Sequence, residues 1–107
     1  MIPDIVVTNC RIPGDYPTPE MVDLVIEIWS PEDTAAGRAY RRRTYASVDI
    51  LYFWEIEQDG PVITAYALRD GEYREQITLN PGAAGTITAA PAPVAVDPAL
   101  LNPWVRT

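Results

Sequence analysis

Short apolar stretches divide the chain into several extended segments and one helical segment. Residues 4–10 and 23–30 are apolar at their centres, a pattern typical of β-strands. Residues 50–58, 62–70 and 72–80 show the same pattern and are separated by the turn sequences "DGP" and "DG". These last three segments therefore predict an antiparallel meander.

One stretch, "DTAAGRAYRRRTYAS", combines alanine and arginine at the density of a helix. Asp33 or Thr34 is a suitable N-cap, and the pattern predicts a helix over residues 34–46. Together the elements indicate an α+β fold with a mixed sheet of five or six strands. Because one helix covers only part of one sheet face, we expect this chain to leave the rest of the sheet uncovered.

The C-terminal part of the sequence predicts secondary structure less clearly. "TITAA" predicts a short strand, "PAPVAV" an extended tail, and "DPALLN" one closing helical turn with Asp97 as its N-cap and Pro98 at its first position. The 107 residues, 48% of them apolar, suffice for a single domain over 1–107. No run of 18 apolar residues occurs, so the sequence predicts no membrane span.

Composition restricts the chemistry more than the fold does. Cys10 stands alone, so it forms no internal disulfide; we expect it to be buried and inert, and the protein to be cytoplasmic. All eight basic residues are arginines, and the chain has no lysine or histidine. Lysine and histidine general bases and Ser–His triads are therefore excluded. Carboxylates, arginines and a metal ion must carry any catalysis.

Glu27 is the most informative single residue. Strand alternation places it with Val25 and Trp29 on one face of an otherwise apolar strand. A buried carboxylate is costly unless it is paired or binds a metal. Asp4 lies at the start of a neighbouring predicted strand, and two such carboxylates are the minimum frame for Mg²⁺ or Mn²⁺. The alternative is that Glu27 pairs with an arginine, that Asp4 is an exposed strand-start residue, and that Trp29 belongs to the core.

Half of the positive charge lies on the predicted helix, at Arg38, Arg41, Arg42 and Arg43. One interpretation is contact with the phosphates of a nucleic acid, for which guanidinium groups are well suited. The net charge of −7 opposes such a partner everywhere else on the surface. The alternative is a solvated helix face whose arginines pair with acidic residues.

Four motifs in this order carry a family resemblance. "PDIVV" (3–7), "DLVIEIWSP" (23–31), a helix ending in "RRRTYA" (41–46) and a strand with "FW" (53–54) are similar to the Uma-two family. That family consists of restriction-endonuclease-like proteins in the PD-(D/E)XK nuclease superfamily. The resemblance extends over nearly the whole chain, and it implies a restriction-endonuclease-like core.

The resemblance also implies roles for individual residues. Asp4 matches the aspartate of "PD" and Glu27 the acidic residue of (D/E)XK, the pair that holds a divalent metal in the superfamily. Trp29 stands where the motif has lysine. Arg41 matches the lysine that the family carries on the following helix, and it would stabilise transition-state charge. Gly37 replaces an aspartate that the family usually has earlier on that helix.

The resemblance also implies a departure at the front of the chain. Family members carry a segment before "PD" with a helix and a further acidic residue, whereas Met1 stands two residues before Pro3 here. We therefore expect a truncated, inactive or weakly active relative of metal-dependent nucleases. The alternatives are an active divalent-metal-dependent nuclease and a small structural or protein-interaction domain. A homo-oligomer is expected, because the uncovered sheet and the aromatic residues Trp29, Trp104 and "YFW" (52–54) offer apolar area.

Overall fold

A five-stranded sheet organises the part of the chain that the computed structural model describes, residues 3–10, 14 and 17–97. Its strands lie side by side in sequence order. Two further short strands pair with each other in a second sheet. The elements are β1 (Ile5–Thr8), β2 (Val22–Trp29), α1 (Ala35–Ser47), β3 (Tyr52–Glu57), β4 (Ile63–Arg69), β5 (Glu72–Leu79), β6 (Gly85–Ile87) and β7 (Val94–Val96), with a 3-10 turn at Pro19–Met21 before β2.

A side-chain cap at the start of α1 and a left-handed residue after its end set the bounds of the helix. The Thr34 hydroxyl caps its first turn by accepting the Gly37 N–H at 3.0 Å. Asp49 has a φ of 61°, a left-handed conformation that ends the helical path two residues after Ser47. The predicted helix over 34–46 is confirmed to within one residue, and Thr34 rather than Asp33 is its cap.

The connections make the sheet mixed. The strands β2 and β3 are parallel, with α1 as the crossover between them, and every other neighbouring pair in this sheet is antiparallel. Asp70 and Gly71, with φ values of 53° and 79°, form the tight turn from β4 to β5 that "DG" predicts. The predicted α+β architecture with an antiparallel meander is confirmed.

Each face of the sheet has its own core. The face under α1 is built from buried apolar residues of β2, α1 and β3, with one more before β3 (Val22, Val25, Trp29, Tyr45, Ile50 and Phe53). The opposite face is built from Leu24, Trp54, Ile56, Ile63, Ala65 and Leu79, with Ile87, Ala89 and Ala90 from the segment after β5 packed against them. Alternation along β2 accounts for the division from Leu24 to Trp29, and Val22 joins the helix-side core beyond a shift in the register between β1 and β2.

The expectation that this chain leaves most of the sheet uncovered is wrong. The segment that contains β6 and β7 folds back over the second face, where Trp54 Nε1 donates to the Ala89 carbonyl at 2.8 Å. "PAPVAV", predicted as a tail, contributes β7, which pairs with β6. "TITAA", predicted as a short strand, overlaps β6, whereas β7, with three residues, is too short for an alternating pattern to distinguish it from an extended tail. Trp29, Phe53 and Trp54 are buried within this chain, so they offer no area to a partner.

Other predictions had mixed outcomes. Cys10 is exposed, so the expectation of a buried thiol is wrong; it lies beyond Thr8, where pairing with β2 has ended. The predicted turn "DPALLN" falls almost wholly outside the described residues, and Trp104 falls outside them too. Within the part of the chain that the structure describes, no helix is long and apolar enough to span a membrane.

Candidate functional site

Glu27 is completely buried, and both of its carboxylate oxygens are occupied. Its Oε2 forms an ion pair with the Arg41 guanidinium and accepts the Tyr45 hydroxyl at 2.7 Å. Its Oε1 accepts the backbone N–H of Asp4 at 3.3 Å. Arg41 and Tyr45 are four residues apart on α1, so both reach the same point on β2. The charge of Glu27 is thus compensated by protein donors.

Asp4 lies next to Glu27 in the sheet but directs its carboxylate elsewhere. The pairing of Ile5 with Ile26 places Asp4 opposite Glu27 on the neighbouring strand. Its Oδ2 accepts the backbone N–H of Ile28 at 2.7 Å, and Asp4 itself is exposed. The structure therefore brings together the three residues predicted for the site, Asp4, Glu27 and Arg41, with Asp4 contacting Glu27 through its main chain.

A second buried carboxylate, Glu55, lies beside Glu27. The parallel register pairs the two residues directly across β2 and β3. Glu55 forms an ion pair with the Arg42 guanidinium through Nε and accepts the Tyr66 hydroxyl at 3.1 Å. Each buried glutamate therefore has one arginine from α1 and one tyrosine hydroxyl. Pairing with arginine offsets the repulsion that two adjacent carboxylates would otherwise cause.

Sequence reasoning missed Glu55, although the signal was present. "YFWEIE" contains an acidic residue among apolar ones, as "DLVIEIW" does at Glu27. Which face of β3 it occupies depends on how that strand is aligned with β2. That alignment is a tertiary property.

A third ion pair lies nearer the start of α1. Arg38 contacts Glu57 at 2.7 Å and donates to the Ser30 carbonyl at 2.9 Å. Its guanidinium carbon also lies 5.4 Å from the centre of the Trp29 ring, a cation–π arrangement. Arg38, Arg41 and Arg42 thus each pair with a glutamate of β2 or β3. Among the described residues, Arg43 is the helix arginine that forms no salt bridge.

An aromatic cluster supports both glutamates. Phe53 is fully buried, with its ring centroid 5.8 Å from Tyr45, 5.9 Å from Tyr66 and 5.3 Å from Tyr73. Tyr45 and Tyr66 are the tyrosines that donate to Glu27 and Glu55. Phe53 therefore positions both hydroxyl donors through ring packing.

These contacts hold the surrounding groups in their protonated forms. Burial, and the hydrogen bond to Glu27, raise the pKa of Tyr45. Burial and the neighbouring Glu55 charge raise the pKa of Tyr66 to about 12. The hydrogen bond to Glu27 raises the pKa of Arg41 above its usual high range. None of these three groups can accept a proton from water at neutral pH.

The pKa of Tyr66 predicts how stability depends on pH. An unfolded tyrosine ionises near pH 10, whereas Tyr66 ionises near pH 12 when folded. The stabilisation from the neutral hydroxyl is therefore fully present below about pH 10 and is lost as the pH rises through about 12. We expect the free energy of unfolding of Tyr66→Phe to fall less steeply than that of the wild type over this interval. Urea unfolding at stepped alkaline pH measures it; parallel curves for the two proteins would contradict the prediction.

The side chains in place do not fit a divalent metal ion. The Glu27 carboxylate oxygens accept hydrogen bonds from Arg41, Tyr45 and the Asp4 backbone N–H. The Asp4 carboxylate accepts the backbone N–H of Ile28. Within the described residues, no three His, Cys, Asp or Glu side chains are grouped as metal ligands. The guanidinium of Arg41 occupies the position beside Glu27 that a cation would need. Metal binding by Asp4 and Glu27 stays a prediction.

Comparison with known families agrees with the motifs and the fold. Residues 1–94 match the model of the Uma2 family, described as "Putative restriction endonuclease". No curated protein matches the chain. The match covers most of the 107 residues and includes β1, β2, α1, β3 and the meander, so the resemblance to the Uma-two family is confirmed. The chain belongs to the Uma2 family of restriction-endonuclease-like proteins.

Proposed function

We propose that this chain is a restriction-endonuclease-like protein in which the Arg41–Glu27 ion pair prevents Glu27 from binding a metal ion. We further propose that the chain by itself cleaves nucleic acids poorly or not at all. One observation carries the proposal: the Glu27 carboxylate is buried and both of its oxygens are bonded to Arg41, Tyr45 and Asp4. Membership of the family supports the fold. The contacts of Glu27 support a structural role for it.

The chemistry of the neighbouring groups supports the same conclusion. Phosphodiester hydrolysis by a metal-dependent nuclease needs a firmly held ion, an activated water and stabilisation of developing charge. Arg41 can stabilise charge, but its raised pKa prevents it from accepting a proton. The chain has no lysine or histidine to do so instead. Of the three requirements, this site meets one.

Nucleic-acid contact through α1 is correspondingly disfavoured. The charges of Arg38, Arg41 and Arg42 are neutralised by Glu57, Glu27 and Glu55. A guanidinium group adds affinity for a nucleic acid when it is exposed and can contact a phosphate, because that contact releases the counterions bound there. With a net charge of −7, we expect weak binding to DNA or RNA that disappears at physiological salt.

An active nuclease is the second candidate, and one observation favours it. Asp4, Glu27 and Arg41, the residues that the family motif selects, are adjacent in space. For this function, an ion would have to displace Arg41 from Glu27, and Asp4 would have to release the Ile28 amide. Both changes break charge-assisted hydrogen bonds, which are stronger than neutral ones.

A cleavage assay separates the two candidates. Purified wild type is incubated with supercoiled DNA, single-stranded DNA and RNA, each with Mg²⁺ or Mn²⁺, and metal affinity is measured by titration calorimetry. We expect no cleavage above the background of the matched variants Asp4→Ala and Glu27→Gln, and no saturable metal binding. Glu57→Gln serves as the control, because Glu57 is the most exposed of the three paired glutamates.

Cleavage by the wild type that is lost in both Asp4→Ala and Glu27→Gln, with both variants folded by circular dichroism, would overturn the proposal. The variant Arg41→Lys adds a further test, since the family resemblance places a lysine there. If the guanidinium is what closes the site, metal binding or cleavage should be larger in Arg41→Lys than in the wild type.

A further inference from the structure

The outer edge of β1 pairs with no other described strand. This strand lies at one end of the five-stranded sheet and, among the described residues, pairs only with β2. The N–H and C=O groups on its other side therefore have no strand partner in that part of the chain. An edge of this kind is a template for a further strand, because extended backbone pairs best with extended backbone.

The two edges of the sheet differ in chemistry. The opposite edge, β5, exposes Glu72, Arg74, Glu75 and Gln76, which are side chains that discourage strand addition. In contrast, β1 reads "IVVT": four β-branched residues without a charge. Ile5 and Val7 are 44% and 37% exposed. The β1 edge thus lacks the protection that the β5 edge has.

The helix-side face of β1 is also apolar. Val6 and Pro3 line an open groove of about 600 Å³ between β1, the residues before β2 and the end of α1. None of the described residues that line this groove is charged, in a protein with 15 acidic and eight basic residues. Both faces of the β1 edge are therefore suited to cover by another apolar surface.

We propose that a second copy of this chain pairs with β1, antiparallel and edge to edge, so that two five-stranded sheets become one continuous sheet. An antiparallel pair of identical strands has twofold symmetry, and each partner offers the same apolar, uncharged side chains that it receives. The net charge of −7 on each copy opposes every contact between copies, and contact through β1 adds least to that repulsion because Ile5–Thr8 carries no charge. This surface differs from the sheet face expected from sequence, which β6 and β7 cover.

Dimer strength follows from the length of the edge. Four residues per strand bury less than the roughly 1,200 to 2,000 Å² of a stable interface. The groove beside Val6 adds apolar contact. We therefore expect a reversible dimer with a dissociation constant on the order of micromolar to tens of micromolar.

Sedimentation velocity over about 1 to 200 micromolar protein, a range spanning that constant, tests the proposal. The wild type should shift from monomer to dimer. The double variant Ile5→Lys/Val7→Lys should remain monomeric, because like charges would face each other across the edge. The matched control Gln76→Lys/Thr78→Lys places the same two charges on exposed positions of β5 and should dimerise as the wild type does. Circular dichroism confirms that each variant is folded.

A cysteine scan identifies the surface independently. In a Cys10→Ser background, single cysteines are placed at positions 5, 6, 7 and 8 and oxidised. A symmetric strand pair brings one position close to its own copy, so disulfide-linked dimer should form most at a single site. A wild type that stays monomeric throughout the range overturns the proposal. So does a dimer that persists in Ile5→Lys/Val7→Lys, or one that no β1 cysteine cross-links.

Discussion

Replacing Arg41 by methionine should lower the free energy of unfolding by about 3 kcal/mol, because it leaves the buried Glu27 charge without its counterion. Methionine keeps the length of the side chain, its apolar stem and its helix propensity, so the change removes little except the guanidinium. The Tyr45 hydroxyl and the Asp4 amide still donate to Glu27. We therefore place the loss at the low end of the roughly 3 to 5 kcal/mol seen when buried pairs are broken.

Urea unfolding at neutral pH measures this loss, and the chain contains a close control. Arg43 lies on the same helix but is exposed, so Arg43→Met should stay within about 0.5 kcal/mol of the wild type. The double variant Glu27→Met/Arg41→Met removes both charges and should regain most of the stability that Arg41→Met loses. Arg41→Met and Arg43→Met variants of equal stability would show that Glu27 is not held as the structure describes.

Replacing Phe53 by alanine should cost about 4 kcal/mol, within the range of roughly 3 to 5 kcal/mol for a fully buried phenylalanine. The ring fills the space between β3 and α1 and packs on Tyr45, Tyr66 and Tyr73. Its removal leaves a cavity and also loosens the two tyrosines that donate to Glu27 and Glu55. The near-ultraviolet circular dichroism of the aromatic cluster should weaken with it.

Two variants separate packing from a general loss of aromatic area. Phe53→Leu keeps much of the volume and should cost about 1.5 kcal/mol or less. Tyr40→Ala removes an aromatic ring that is 58% exposed on the outer face of α1, and should change stability by no more than about 0.5 kcal/mol. A cost for Phe53→Ala as small as that of Tyr40→Ala would mean that the cluster does not organise this face of the sheet.

Local signals account for the elements that were predicted well. Strand and helix differ in their apolar period, so β2, β3, β4, β5 and α1 could all be placed from the sequence. Turn and cap chemistry is also local; it located the Asp70–Gly71 turn and narrowed the cap to Asp33 or Thr34, of which the structure has Thr34. Alternation within β2 placed Glu27 on the face with Val25 and Trp29, which is the face that α1 covers.

The role of the helix arginines could be assigned only from the tertiary structure. Their density predicted either phosphate contact or pairing with acidic residues, and the structure shows that Arg38, Arg41 and Arg42 pair with glutamates. Each pair joins residues 13 to 19 positions apart along the chain. Such a pair depends on the height and rotation of α1 above the sheet, which no local pattern encodes.

The sequence by itself therefore determined the helix and the strands of the large sheet, the family, and the position of Glu27, one of the two buried acidic residues among the described residues. The tertiary structure decided what that residue does. The parallel register of β2 and β3 brings Glu55 beside Glu27, and the crossing of α1 supplies one arginine to each. The same structure returns β6 and β7 to the open sheet face, where Ile87, Ala89 and Ala90 complete the second core. These outcomes depend on contacts between distant segments, whose free energy is set by packing and charge in the folded chain rather than by the local order of residues.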